Sequence, residues 1–229
     1  MRTEYTGPEF PELQTQNIEG VRWYKIPDGD MLPSITSVLS KRPDKKRGLT
    51  EWRERVGEVQ ANIISGKAAR RGTCFHNCVE DFLEDRDFSD RKKENFLAYY
   101  MFQEVKPVIE DKISKVVLME QSMYSTQYRV AGRCDFIGVF DGKLAVVDWK
   151  TTTKMKREDW MEDYFVQATS YAEMYREHTG ELIDDIIIVM VAEDGQVEIF
   201  EKKTADYVPL LEEMMKQFYK YNFDIEEKN

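Results

Sequence analysis

Apolar and polar residues alternate through residues 130–153, VAGRCDFIGVFDGKLAVVDWKTTT, with Asp141 and Gly142 in the middle. Alternation on both sides of an Asp-Gly pair predicts two strands joined by a two-residue turn. Phe140 then faces Lys143, and counting back along both strands brings Asp135 opposite Asp148. Because side chains alternate between faces, Arg133, Asp135, Ile137 and Val139 share one face with Leu144, Val146, Asp148 and Lys150. Phe136, Phe140, Ala145, Val147 and Trp149 occupy the other. Both faces are largely apolar, which predicts a central hairpin covered on each side.

Residues 1–32 carry Pro8, Pro11 and Pro27 with little periodicity, and read as an extended arm with a short strand over residues 21–26. Pro33 and Ser34 precede an apolar repeat, a helix start. Residues 40–48, SKRPDKKRG, set five cations against Asp44. They read as a solvated loop or, favoured in so acidic a chain, a basic flap over a polyanion. A helix over residues 49–65, a second basic cluster at 66–72 and a helix over 73–84 follow. One long helix is expected over 90–114, with an aromatic stripe for the core and Pro107 as a bend. A strand over 115–127 leads into the hairpin and makes an antiparallel meander of three. Beyond it come a helix over 160–178, a buried strand over 184–193, its partner over 197–202 after Asp194-Gly195, and a helix over 205–223. The acidic EEKN end is expected to be disordered. The units are therefore an arm (1–32), a helical part carrying His76 and Glu80 (33–114), a sheet core (115–204) and a final helix and tail (205–229), all in one domain.

A length of 229 residues is enough for one large domain with a real core. The 41% hydrophobic and 33% charged fractions are those of a soluble globular chain. No apolar run approaches the ~20 residues that span a bilayer, so no membrane partner is expected. The first residues lack a basic segment followed by an apolar one, and three cysteines do not suggest a disulfide framework. A cytoplasmic location, or a host's cytoplasm, is expected. A net charge of -10 argues against nonspecific coating of nucleic acid but is compatible with a locally basic cleft.

Two carboxylates facing each other across a strand pair, with Cβ atoms roughly 5 Å apart, repel unless something positive lies between them. A divalent cation is the simplest remedy. The alternative, internal ion pairing of Asp135 and Asp148 with Arg133 and Lys150, requires burying four charges and is disfavoured. His76 and Glu80, four apart, share a helix face and form a candidate metal or supporting pair. Cys74 and Cys78 lie about 200° away at ~100° per residue, so the two pairs cannot make one zinc site and the cysteines read as packing. Glu120 is either a third carboxylate of the site or an exposed edge residue. Ser34 and Thr36 either hold a phosphate or cap an ordinary helix. The chain has neither HExxH nor GxxxxGK[ST]. Carboxylates with a neutral imidazole suit Mg²⁺ or Mn²⁺. A lysine two residues beyond Asp148 can hold or deprotonate a water and steady a phosphate oxygen. That combination predicts phosphodiester hydrolysis, with Lys45, Lys46, Arg47, Arg70, Arg71 and the hydroxyls of Thr151 and Thr152 toward a nucleic-acid backbone.

Four motifs in order, GxxFHxxxE (Gly72, Phe75, His76, Glu80), GRCD (Gly132 to Asp135), DWKT (Asp148 to Thr151) and QxxxY (Gln167, Tyr171), resemble the PD-(D/E)XK nucleases of RecB type. Within them the likeness is to the mitochondrial genome maintenance exonuclease-like and bacteriophage exonucleases, and it includes PSITSVL. The resemblance implies an α/β fold with a restriction-endonuclease-like core. That is a central mixed sheet containing the antiparallel meander, flanked by helices, with an N-terminal helical part. It also implies a metal-dependent deoxyribonuclease, from a phage or similar source, acting on single-stranded or frayed DNA ends in replication, recombination or repair. His76, Asp135, Asp148 and the Trp149 carbonyl are then metal ligands and Lys150 is the catalytic lysine. Glu80, Glu120, Gln167 and Tyr171 support them, and Ser34 and Thr36 touch the DNA backbone. Members with an iron–sulfur cluster use four cysteines; Cys74, Cys78 and Cys134 are too few, so no cluster is expected. A structure-selective endonuclease on the same fold is the alternative enzyme. A silent nucleic-acid-binding subunit is the alternative outside enzymes, although it has no need for facing carboxylates.

Overall fold

The computed structural model describes residues 7–223, so the EEKN end lies outside the described residues. Three short strands, β1 (Gln14–Ile18), β2 (Val21–Lys25) and β3 (Met31–Pro33), pair antiparallel into a small sheet where the sequence suggested an arm with one strand. The reason is visible in the burial. All five residues of β1 are exposed and β3 has three residues, so neither shows an apolar alternation.

Helix α1 (Ile35–Ser40) follows, its end capped by Ser34, whose hydroxyl accepts the Ser37 N–H at 3.1 Å. The basic stretch expected as a loop or flap is helical instead. Pro43 stands at the first position of α2 (Pro43–Val56), where its fixed φ and missing N–H cost nothing, and Asp44 complements the helix dipole. Gly57, at φ 83°, separates α2 from α3 (Glu58–Leu83). The predicted interruption at residues 66–72 does not occur. Helix α3 runs unbroken through Gly66 and Gly72, each costing roughly 1 kcal/mol against Ala, because its second half is held by packing. The long helix expected over 90–114 is divided: Asn95, extended at φ -153°, ends α4 (Arg91–Glu94) and caps α5 (Phe96–Lys112) by accepting the Ala98 N–H.

Strands β4 (Ile113–Ser125), β5 (Val130–Phe140) and β6 (Lys143–Thr152) form the expected meander, with Phe140 opposite Lys143 and Phe136 opposite Val147. Asp141 and Gly142 have φ of 49° and 79°, the pair of positive values that this two-residue turn requires. After a 3₁₀ turn (Glu158–Trp160), α6 (Glu162–Thr179) crosses over to β7 (Asp185–Ala192), which runs parallel to β6. Strand β8 (Val197–Lys203) pairs antiparallel with β7 and leads into α7 (Thr204–Phe223). The result is a mixed five-stranded sheet of order β4-β5-β6-β7-β8.

Apolar residues cover both faces. On one, Ile137, Val146, Ile186, Ile188 and Met190 pack with residues of α1, α6 and α7. On the other, Phe136, Phe140, Val147, Trp149 and Val189 pack with residues of α3 and α5. All eight residues of β7 are buried, as befits a continuous apolar run between two layers. No described helix is long and apolar enough to cross a membrane.

Gly138 marks the tightest point of the meander. The β4 ladder slips between Val116 and Leu118, and a Cβ at 138 would stand 2.3 Å from the Lys115 carbonyl oxygen and 2.5 Å from the Phe136 ring. A Cβ at Gly142 would meet open space, so only its positive φ resists substitution. Urea unfolding is therefore expected to show Gly138→Ala destabilised by ~3 kcal/mol or more and Gly142→Ala by ~1 kcal/mol. The reverse order would contradict this packing account.

Candidate active site

Helix α3 presents Thr73, His76, Asn77 and Glu80 at i, i+3, i+4 and i+7, one polar stripe, while Cys74, Phe75, Cys78 and Val79 enter the core on its other side. The stripe lines a cavity of about 400 Å³ together with Ser34, Thr36, Glu120, Asp135, Gln167 and Tyr171. These come from five separate elements or their flanks, brought together at one end of the sheet.

His76 and Asp135 are both fixed by Trp149. The Trp149 carbonyl is 3.0 Å from His76 Nε2, and since a carbonyl only accepts, Nε2 carries the hydrogen. The Trp149 N–H donates to Asp135 Oδ2 at 3.1 Å. His76 Nδ1 is thereby turned to the carboxylates, 3.6 Å from Glu120 Oε1 and 3.6 Å from Asp135 Oδ2. Glu120 has a left-handed φ of 50°, rare for a residue with a side chain. The ladder is regular on both sides of it, Met119 with Phe136 and Gln121 with Cys134. Strict alternation in β5 nonetheless fails: Gly132 abuts Tyr171, and Cys134 packs in the α6-side core, as does Ile137. The expected common face of Arg133, Asp135 and Ile137 is corrected accordingly. The break lies at Asp135, opposite the left-handed Glu120, and lets both carboxylates reach His76.

Asp148 lies just behind, fully buried. Its Oδ1 accepts from Gln167 Nε2 at 3.0 Å, and the same nitrogen is 3.4 Å from the Tyr171 hydroxyl. Its Oδ2 touches the Lys150 ammonium but has no hydrogen bond of good geometry. Half of the ion pairing that the sequence disfavoured is therefore present, whereas Arg133 pairs with Glu120, at 2.8 Å, rather than with either aspartate. Burial pushes the Asp148 carboxyl up to about 7 in spite of Lys150 beside it, and Asp135 adds to the rise. Burial pulls the Lys150 ammonium down, but Asp148 and Asp135 outweigh it and hold the group charged. His76 follows the same logic: burial opposes its charge, Asp135 and Glu120 overcome that, and its pKa is raised to about 9. Asp135 and Glu120 thus favour the charged imidazole, and Lys150 opposes it.

One imidazole nitrogen and two carboxylates, all within 4.8 Å of one another, make His76, Glu120 and Asp135 a candidate cation site. With the incompletely satisfied Asp148 oxygen behind it, the donor set is oxygen-rich and fits a hard divalent ion. The grouping shares His76 and Asp135 with the expected set of His76, Asp135, Asp148 and Trp149 and adds Glu120. Asp148 is engaged by Lys150 and Gln167, the Trp149 carbonyl by His76, and Glu120 is drawn into the cluster rather than left at an edge.

The remaining expected residues divide. Ser34 is used as a cap and Thr36 is exposed, yet both line the cavity. Glu80 lines it too and pairs with Arg86 at 3.1 Å. Arg71 is buried, paired with Glu193 and donating to Thr151 Oγ1 at 3.2 Å, and Thr152 donates to the Lys154 carbonyl, so these groups serve the fold. Lys45 is 2.5 Å from Asp163, while Lys46, Arg47 and Arg70 are exposed. Sequence reasoning missed Arg22, Tyr24, Thr73, Asn77, Gly132 and Arg133 as cavity residues. Thr73 and Asn77 were detectable in the i, i+3, i+4, i+7 polar stripe; Arg22 and Tyr24 sit in the small sheet that had no pattern to read.

Comparison with known proteins identifies the family. The family model of the PD-(D/E)XK nuclease superfamily matches residues 88–224. Mitochondrial genome maintenance exonuclease 1 of Homo sapiens is 28% identical over 139 residues, 58% of this chain and 40% of that protein. The Mus musculus protein of the same name is 27% identical over the same shares. The match thus spans well under half the length of these relatives. A crystal structure from Eubacterium rectale, 12% identical, superposes with a TM-score of 0.47 over 69% of each chain. With more than half of its length matched by that family model, the chain belongs to the PD-(D/E)XK nuclease superfamily.

Proposed function

We propose that this nuclease is a divalent-metal-dependent DNA exonuclease that acts on single-stranded or frayed ends, in replication, recombination or repair. The observation that carries the reading is one cleft in which His76, Glu120 and Asp135 converge in front of a pair of buried Asp148 and half-buried Lys150. The similarity to exonucleases of mitochondrial genome maintenance supports the choice of reaction and of DNA as partner.

His76, Glu120 and Asp135 would hold Mg²⁺ or Mn²⁺, with Asp148 as a further oxygen behind them. Such an ion acidifies water and neutralises charge on a phosphate. The chain's own groups do the rest. The Trp149 carbonyl keeps the hydrogen of His76 on Nε2, which leaves Nδ1 as the ligand atom. Lys150, held charged by Asp148, offers its ammonium to a non-bridging oxygen of the scissile phosphate and orients the attacking water. Gln167 anchors Asp148, and Tyr171 steadies Gln167, which it can approach because Gly132 leaves room: a Cβ there would stand 2.7 Å from the tyrosine ring. Exposed Lys46, Arg47 and Arg70 are available to a DNA backbone.

The test is digestion of end-labelled linear single strands, duplexes and closed circles with Mg²⁺, Mn²⁺ or EDTA. Linear DNA is expected to be cut and circles spared, EDTA to abolish cutting, and Lys150→Ala to lose about 10²–10³-fold in rate. Cutting of circles would establish the endonuclease instead, and DNA bound but never cut would establish a silent binding subunit. Removing the anchor of Asp148 gives a second check: Gln167→Ala is expected to need 10–100-fold more Mn²⁺ for half-maximal cutting. An unchanged metal requirement would remove Gln167 from the supporting set.

A further inference from the structure

The cavity around His76 does not end at Glu120. A second cavity, of about 620 Å³, continues from it between the small N-terminal sheet and strand β4, and the two share Arg22, Tyr24, Glu120 and Arg133. Beyond that junction the second cavity is lined by Glu12, Leu13, Thr15, Gln121 and Ser122, a mixed surface with one carboxylate and room for a nucleotide.

The cations near this passage differ in their engagements. Lys150 is paired with Asp148, Arg133 with Glu120 and Arg71 with Glu193. Arg22 has no carboxylate within ion-pair distance among the described residues, although it lines a cavity containing Glu80, Glu120 and Asp135. Its backbone is held firmly. The Arg22 N–H donates to Ser37 Oγ at 3.0 Å, and its carbonyl accepts the Ser34 N–H at 2.7 Å, so the Ser34 cap of α1 and strand β2 fix the stem of the side chain. An exposed, uncommitted guanidinium on a rigid stem, at the neck between a catalytic cluster and a second cavity, is suited to a phosphate oxygen pair.

Resting on the nuclease reading, we propose that Arg22 binds the phosphodiester adjacent to the scissile one, and that the strand passes it into the second cavity. The subsite explains how a cleft lined by carboxylates accepts a polyanion away from the metal cluster: one unpaired cation meets one phosphate. Arg133 stays with Glu120 and is not the phosphate ligand.

Fluorescence anisotropy of labelled oligothymidylates with Mg²⁺, in the Lys150→Ala background that suppresses cutting, tests this. Arg22→Ala is expected to bind about tenfold more weakly and to flatten the slope of log K against log salt by about 0.7, the share of one single-strand phosphate. Oligonucleotides carrying one uncharged methylphosphonate linkage, moved stepwise along the strand, locate the contact. One position is expected to weaken the Arg22 protein and to leave Arg22→Ala unaffected; Arg22→Lys is expected to restore the salt slope and only part of the affinity. Equal slopes and equal sensitivity at every linkage, in a protein whose wild type cuts DNA, would overturn the subsite alone. A wild type that neither cuts nor binds DNA would overturn the nuclease reading and the subsite with it.

Discussion

Three carboxylates, Glu120, Asp135 and Asp148, converge at one end of the sheet, and the surrounding structure depends on how their mutual repulsion is contained. Each is matched to a cation: Asp148 to Lys150, Glu120 to Arg133, and both Glu120 and Asp135 to His76. Asp135 and Glu120 raise the pKa of His76, and Asp148 and Asp135 raise that of Lys150, against the burial that lowers both. Hydrophobic cores on both faces of the sheet hold the hairpin in place against that field. The cluster is tolerable because it is small, and it is a candidate cation site because positive charge relieves its repulsion.

How the site is assembled follows from the strands' departures from regularity. An ideal alternating β5 would point Cys134 and Phe136 the same way; here Cys134 packs on the α6 side and Phe136 on the α3 side. Between them lies Asp135, opposite the left-handed Glu120. Backbone strain of this kind, on the order of 1–3 kcal/mol, persists where the surroundings over-determine it, and it gathers at functional sites.

Much of this was legible in the residues. The Asp-Gly turn set the register of the hairpin, and the apolar run of β7 announced a strand between two layers. Other features were invisible for identifiable reasons. β1 buries nothing, so it has no pattern. α3 passes through two glycines because packing outweighs their propensity. The break in face alternation at Asp135 lies opposite a left-handed φ at Glu120 that a sequence does not display. Basic clusters misled in a simple way, since counting cations does not show that Arg71 is already buried against Glu193 or that Arg42 and Lys45 are drawn to Asp163.

Trp149 joins two layers of the molecule that are usually discussed apart. Its ring lies in the core against Phe136, 6.2 Å between centroids, while its peptide groups hold His76 on one side and Asp135 on the other. Swelling of the α3–α5 layer would move ring and peptide together and leave His76 and Asp135 in step. Sliding β6 along its own axis would separate them. The geometry of the candidate cation site is therefore set in part by apolar side chains that never see water, and repacking that core would shift His76 and Asp135 without replacing either.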